Sequence, residues 1–295
     1  MSELRFSNVR VNGITLHLAE AGPDDGPLLF LLHGFPEYWR AWKDYILPFA
    51  AAGFHVIAPD QRGYNLSEKP KDIAAYDLDQ LAADIFGLAD RWGARSFSIV
   101  GHDWGGTVGW WIATSRPERL DRLAVINAPH PSVWREFMDA DPEQKRRSRY
   151  VKLFRMPWLP EFLIRRRHFA ALAQSLRRTD GGPTATELEH YHAAWSIPGA
   201  LTAMVNWYRA FLRKRLPPSS EVKIGNPLLL IWGERDPFGI TELARASLRL
   251  CARGRVFFIA EGSHWVQHEE TSRCREALLD FLSEDQAGPR PASNS

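Results

Sequence analysis

Three side chains suited to nucleophilic and acid–base chemistry stand at the ends of apolar runs: Asp103 in GHDWGG, Asp236 in WGERDPFG and His264 in GSHWVQHE. Their chain order is nucleophile, acid, base. Gly101 and Gly105 flank Asp103 closely enough to allow a tight turn from strand into helix, where a bulkier neighbour would obstruct the backbone. An aspartate before a helix also serves as a plain N-cap. Glycines on both sides and two correctly ordered partners favour the chemical reading. A carboxylate is ionised at neutral pH and needs no base to activate it. It suits an sp³ carbon bearing a leaving group, because displacement leaves an ester that water activated by His264 can cleave. A serine at 103 would leave an ether, which that water could not open.

HGFP, His33 to Pro36, follows the run LLFLL and supplies a second half to the site. The backbone N–H of Phe35 is placed to pair with that of Trp104 as an oxyanion hole, with Pro36 shaping the turn through a cis bond. His264 alone among ten histidines follows the last apolar strand at a Gly-Ser turn. His190 and His192 are two residues apart on a helix and diverge, so no metal is expected, and no cofactor.

The elements that must position these groups alternate between strand and helix. LRFSNVRV and ITLHLAEAG flank Asn12-Gly13 and read as an antiparallel hairpin. Six short apolar strands follow: PLLFLLHG, FHVIAPD, SFSIVGHD, LAVINAPH, NPLLLIWGERD and RVFFIAEGSH. Amphipathic helices separate them, which predicts a mostly parallel eight-stranded sheet with helices on both faces. Ligands bind at the carboxyl edge of such sheets, where the three groups collect. Between Pro131 and Pro218 the strand rhythm stops and proline-separated helical pieces take over. The expected organisation is a core of residues 1–133 and 219–285, a helical cap at 134–218 and a disordered tail at 286–295.

Composition narrows the class further. The chain has 295 residues, 45% hydrophobic and 24% charged, an ordinary globular balance, with twelve tryptophans that suggest an aromatic pocket. It has no N-terminal apolar leader pattern and no run long enough to span a membrane, so a cytoplasmic location is expected. Cys251 and Cys274 read as buried thiols rather than a disulfide framework. Net charge is +2, yet residues 134–218 carry sixteen Lys/Arg against eight Asp/Glu. The basic runs lack interleaved aromatics for base stacking, which argues for a solvated face and against nucleic acid.

HGFPEYWRAW, DQRGYNLSEKP, GHDWGG, NAPHP, PGALTAMVNWYRA and LLIWGERDPF together span nearly the whole chain. In these motifs the sequence resembles the epoxide hydrolases of the α/β-hydrolase superfamily, close to the haloalkane dehalogenases. The resemblance implies an α/β-hydrolase fold with an inserted helical cap, and two cap tyrosines that hydrogen-bond the epoxide oxygen. NWYRA carries Tyr208, and Tyr150 is assigned by its place ahead of Phe154 and Pro157. The expected partners are a small hydrophobic epoxide and water, with Trp39, Trp158, Trp207 and Trp265 as candidate lining and a monomer or homodimer as the assembly. One alternative is a haloalkane or haloacid dehalogenase using the same aspartate. Against it, the haloalkane enzymes typically carry Asn where Phe35 stands, and the fluoroacetate enzymes carry arginines where Trp104 and Thr107 stand. Another is a non-catalytic ligand-binding protein on the same fold; such proteins usually lose a triad member, and all three positions are filled.

Overall fold

The computed structural model describes residues 3–178 and 182–284; the expected disordered tail at 286–295 lies outside them. Eight strands form one sheet: β1 (Arg5–Val11), β2 (Ile14–Ala21), β3 (Leu28–Leu32), β4 (His55–Pro59), β5 (Phe97–His102), β6 (Leu120–Ile126), β7 (Ile224–Gly233) and β8 (Cys251–Ile259). Their spatial order is β1-β2-β4-β3-β5-β6-β7-β8. β2 runs antiparallel to both β1 and β4, and the remaining pairings are parallel. The hairpin turn has φ of 45° at Asn12 and 77° at Gly13. Two successive left-handed residues match the twist of the flanking strands, which is why Asn-Gly is favoured there.

Strands β3, β4 and β5 are buried along their whole length. Apolar layers cover both faces, one around Phe30, Ile99 and Leu230 and the other around Leu31, Val56 and Ile231. The helices supplying these layers are α1 (Lys43–Ala51), α2 (Leu78–Arg91), α3 (Trp104–Ser115), and, after the cap region, α11 (Thr241–Leu248), α12 (Val266–Glu269) and α13 (Thr271–Ser283). Helix α2 opens at Asp77, whose side chain accepts the Asp79 N–H, an N-cap that satisfies one otherwise orphaned amide.

Between β6 and β7 the described residues form helices only: α4 (Pro131–Ala140), α5 (Pro142–Arg147), α6 (Arg149–Phe154), α7 (Leu159–Arg166), α8 (Ala170–Ser175), α9 (Ala185–Ser196) and α10 (Ala200–Arg213), with a short 3-10 turn at Ser219–Glu221. The longest, α10, is buried along most of its length and carries the cap's own core. Arg209 on α10 fixes the neighbouring pieces. Its guanidinium meets Glu161 at 2.7 and 3.0 Å and donates to the Phe154 and Met156 carbonyls at 3.1 and 2.6 Å.

Candidate active site

β5 ends at His102 and α3 begins at Trp104, leaving Asp103 alone in the turn with φ 49° and ψ −117°. This conformation is strained for a residue with a Cβ and persists because the surroundings fix it. Gly105 is where the turn has no room to spare: a Cβ there would lie 2.0 Å from the Leu32 carbonyl oxygen. The β3 loop approaches from the other side. A Cβ on Gly34 would sit 2.4 Å from that of Asp103, so a glycine is needed for the two loops to meet. The Phe35-Pro36 peptide is cis, and the Phe35 N–H donates to Asp103 Oδ1 at 2.8 Å. The Trp104 N–H is the first of the α3 amides, among those without an acceptor inside the helix.

His264 lies in the loop after β8, with Nδ1 at 2.8 Å from Asp236 Oδ2 and Nε2 at 3.7 Å from Asp103 Oδ2. Asp236, in the loop after β7, is fully enclosed and well satisfied. Its Oδ2 also accepts from the Asn127 amide at 2.7 Å, and its Oδ1 accepts the Phe238 and Gly239 N–H groups at 2.7 and 3.1 Å. Burial alone would raise the Asp236 pKa, but His264, Asn127 and the Phe238 N–H outweigh it and hold the carboxylate below its ordinary range. Burial pulls the other way on His264, and the negative charge of Asp236, reinforced by Asp103, nonetheless raises its pKa. With Asp236 ionised, the imidazole proton belongs on Nδ1. That leaves Nε2 unprotonated and facing Asp103.

A second buried carboxylate braces this edge. Glu37 Oε1 receives the Tyr191 hydroxyl at 2.6 Å and lies 2.8 Å from His268 Nε2, while His102 Nε2 is 2.9 Å from the His264 carbonyl. Burial would raise the Glu37 pKa, and His268 with His102 reverses this and drives it well down. Nothing in the spacing of HGFPE announced this role, which depends on His102 and, 154 and 231 positions away, on Tyr191 and His268.

Two arms of one cavity meet at Asp103. The inner arm is small, about 80 Å³, and runs past Trp104, Pro131, Trp134 and Trp232. The outer arm, about 660 Å³, runs between Phe35, Phe154, Ile164 and Leu172 and reaches the exposed residues Leu163, Arg166 and Arg167. Tyr150, Tyr208, Phe238 and His264 line both arms. The Tyr150 and Tyr208 rings stand edge to face at 5.9 Å, and Tyr208 packs against Trp104 at 4.9 Å and Phe35 at 5.4 Å. Burial, then the Asp103 charge, pushes the Tyr150 pKa up; burial likewise raises that of Tyr208, aided by Tyr150 and Asp103. Both phenols therefore stay protonated and able to donate.

Of the four candidate lining tryptophans, only Trp265 reaches the cavity, with its Nε1 donating to the Ser175 carbonyl at 2.7 Å. The other three expectations are corrected. Trp207 is fully buried against Tyr64 and Trp104, donating to the Arg62 carbonyl at 3.0 Å. Trp39 packs against Phe6 and Tyr38, and Trp158 points into solvent. In the outer arm the rest of the lining falls to Phe154, Phe238, Leu163, Ile164 and Leu172, while Trp104, Trp134 and Trp232 line the inner one.

The eight-stranded sheet, the strained carboxylate at the end of β5 and the paired Asp236 and His264 in the loops after β7 and β8 have the arrangement of an α/β hydrolase. The sequence matches the alpha/beta hydrolase fold family over residues 27–271. It is 43% identical to the AB hydrolase superfamily protein YfhM of Bacillus subtilis, covering 96% of this chain and 99% of that one. Epoxide hydrolase 4 of Mus musculus is 35% identical over 95% of this chain and 79% of its own. The crystal structure of Bacillus megaterium epoxide hydrolase in complex with an inhibitor superposes with a TM-score of 0.84 at 30% identity, covering 94% of this chain and 100% of that one. The chain belongs to the epoxide hydrolases of the α/β-hydrolase superfamily.

Proposed function

We propose that this enzyme opens an epoxide to a 1,2-diol through a covalent ester on Asp103. The observation that carries the reading is a carboxylate nucleophile with Oδ1 already held by the Phe35 N–H, in a cavity faced by two protonated tyrosines. Asp103 Oδ2 attacks one ring carbon in line as the C–O bond on its far side breaks. Tyr150 and Tyr208 donate to the departing oxygen, so alkoxide never stands free. The product of this step is a hydroxyalkyl ester.

His264 Nε2 then takes a proton from water, and the resulting hydroxide attacks Cγ of Asp103. The tetrahedral oxyanion develops at Oδ1, where the Phe35 N–H already sits at 2.8 Å and the Trp104 N–H supplies the second donor. Collapse expels the diol oxygen, which takes the proton back from His264; the second water proton, left on the Asp103 carboxyl, is released and replaces the one the tyrosine gave the ring oxygen, so that the Asp103 carboxylate and the neutral phenols are both regenerated. Asp236 fixes the tautomer and stabilises the imidazolium between these transfers.

A haloalkane reading would need N–H donors around a departing halide. The two phenols beside Asp103 favour an oxygen leaving group instead. The test is a His264→Gln variant mixed with styrene oxide: an ester adduct on the Asp103 peptide, seen by mass spectrometry, is expected to persist. Rapid return to free enzyme would remove His264 from the base role, and chloride release from chloroalkanes outpacing diol formation would overturn the substrate class.

A further inference from the structure

Seven large apolar side chains are exposed among the described residues, and four of them form one patch on the cap: Met156 at 47%, Trp158 at 70%, Phe162 at 52% and Leu163 at 40%. They lie at the start and on the outer face of α7. Trp158 precedes that helix with φ 49°, a left-handed conformation that is costly for a bulky residue, and neither its ring nor that of Phe162 stacks on another aromatic. Around this patch the charge is one-sided. Residues 145–167 contain nine Lys/Arg and one Asp/Glu, and that acid, Glu161, is buried against Arg209. Arg149, Lys152, Arg155, Arg165, Arg166 and Arg167 are exposed or partly so and form no ion pair with any described residue.

We propose that this face of the cap docks on an anionic lipid bilayer. Exposed Trp, Phe, Leu and Met rimmed by unpaired arginines match an interface where rings and alkyl groups enter the headgroup layer and guanidiniums meet lipid phosphates. A second copy of the chain fits poorly, because a two-fold contact would bring two basic rims together. Nucleic acid would answer the charge but leave the Met156 and Leu163 side chains in water. The outer arm of the cavity reaches the surface at exposed Leu163, Arg166 and Arg167, so that it shares Leu163 with the patch and two arginines with its basic rim. A docked molecule would thus present its cavity mouth to the bilayer, and an apolar substrate dissolved there would enter without crossing water.

The surface is tested by binding alone, so the outcome is independent of the epoxide chemistry. The full chain is centrifuged with phosphatidylcholine vesicles and with vesicles containing phosphatidylglycerol, at low and high salt. Binding is expected to the anionic vesicles, weakened by salt. Arg155→Gln/Arg165→Gln should weaken it roughly twenty-five-fold, at about fivefold per arginine near the surface. Trp158→Ser/Phe162→Ser should also weaken it, with circular dichroism and Tm showing both variants folded. Three results would overturn the proposal: no binding to anionic vesicles, equal binding to neutral ones, or a concentration-dependent dimer that the Trp158→Ser/Phe162→Ser variant abolishes. Binding of single-stranded DNA in place of vesicles would overturn it as well.

Discussion

The two walls of the cavity are built differently. On the sheet side, Asp103, Asp236 and His264 are pinned by directional bonds: the Phe35 N–H on one carboxylate and, on the other, Asn127, two backbone amides and the imidazole. On the cap side, Tyr150, Phe154 and Tyr208 are held mainly by edge-to-face ring packing. Directional bonds fix reacting atoms to fractions of an ångström, whereas ring packing tolerates exchange of one apolar residue for another. On the proposed mechanism the sheet wall is therefore suited to the reaction itself and the cap wall to choosing and holding the substrate, with the two tyrosines as the cap's proposed contribution to chemistry.

Substitutions that break this division should differ in size. Asp103→Ala removes the nucleophile, and diol formation should fall by about 10⁴-fold or more, as when a residue of a catalytic unit is lost, with the Tm retained. Replacing Tyr150 and Tyr208 together by Phe should cost about 10²–10⁴-fold, the range for a positioned proton donor. Either single change should cost less, since one phenol remains. Rapid-quench measurement of ester formation locates both losses in the first half-reaction. Glu161→Ala leaves Arg209 buried without its partner and should lower stability by about 3–5 kcal/mol in urea unfolding, loosening the cap wall while the triad bonds stay intact. The mildest effect is a pH limb in the native enzyme. Because the Asp236 charge holds the His264 pKa up and the base must be neutral, ester hydrolysis should decline as pH falls through the His264 pKa.

The sheet wall was also the legible one. Each triad residue ends an apolar run, and the glycines around Asp103 encode the close approach of backbone to backbone, so local sequence carries both identity and place. The cap offers no such register. A helix pattern tells which residues could be buried but not against what, and Tyr150, on the short helix α6, was reached only through family likeness. Three of the four candidate tryptophans, all but Trp265, failed for a related reason: the large ring that can line a pocket also fills a core, as Trp207 does. Trp158 shows the opposite failure, since nothing in RMPWLPEF distinguishes a ring that faces solvent from one that faces substrate.

The covalent ester is the central claim, and isotope transfer tests it most directly. Enzyme in excess over styrene oxide is taken through a single turnover in ¹⁸O-water, and the Asp103 peptide and the diol are weighed. The ester route predicts ¹⁸O in the Asp103 carboxylate and a first diol carrying unlabelled oxygen from the enzyme. Label confined to the diol would mean that water attacks the epoxide directly, and would contradict the account.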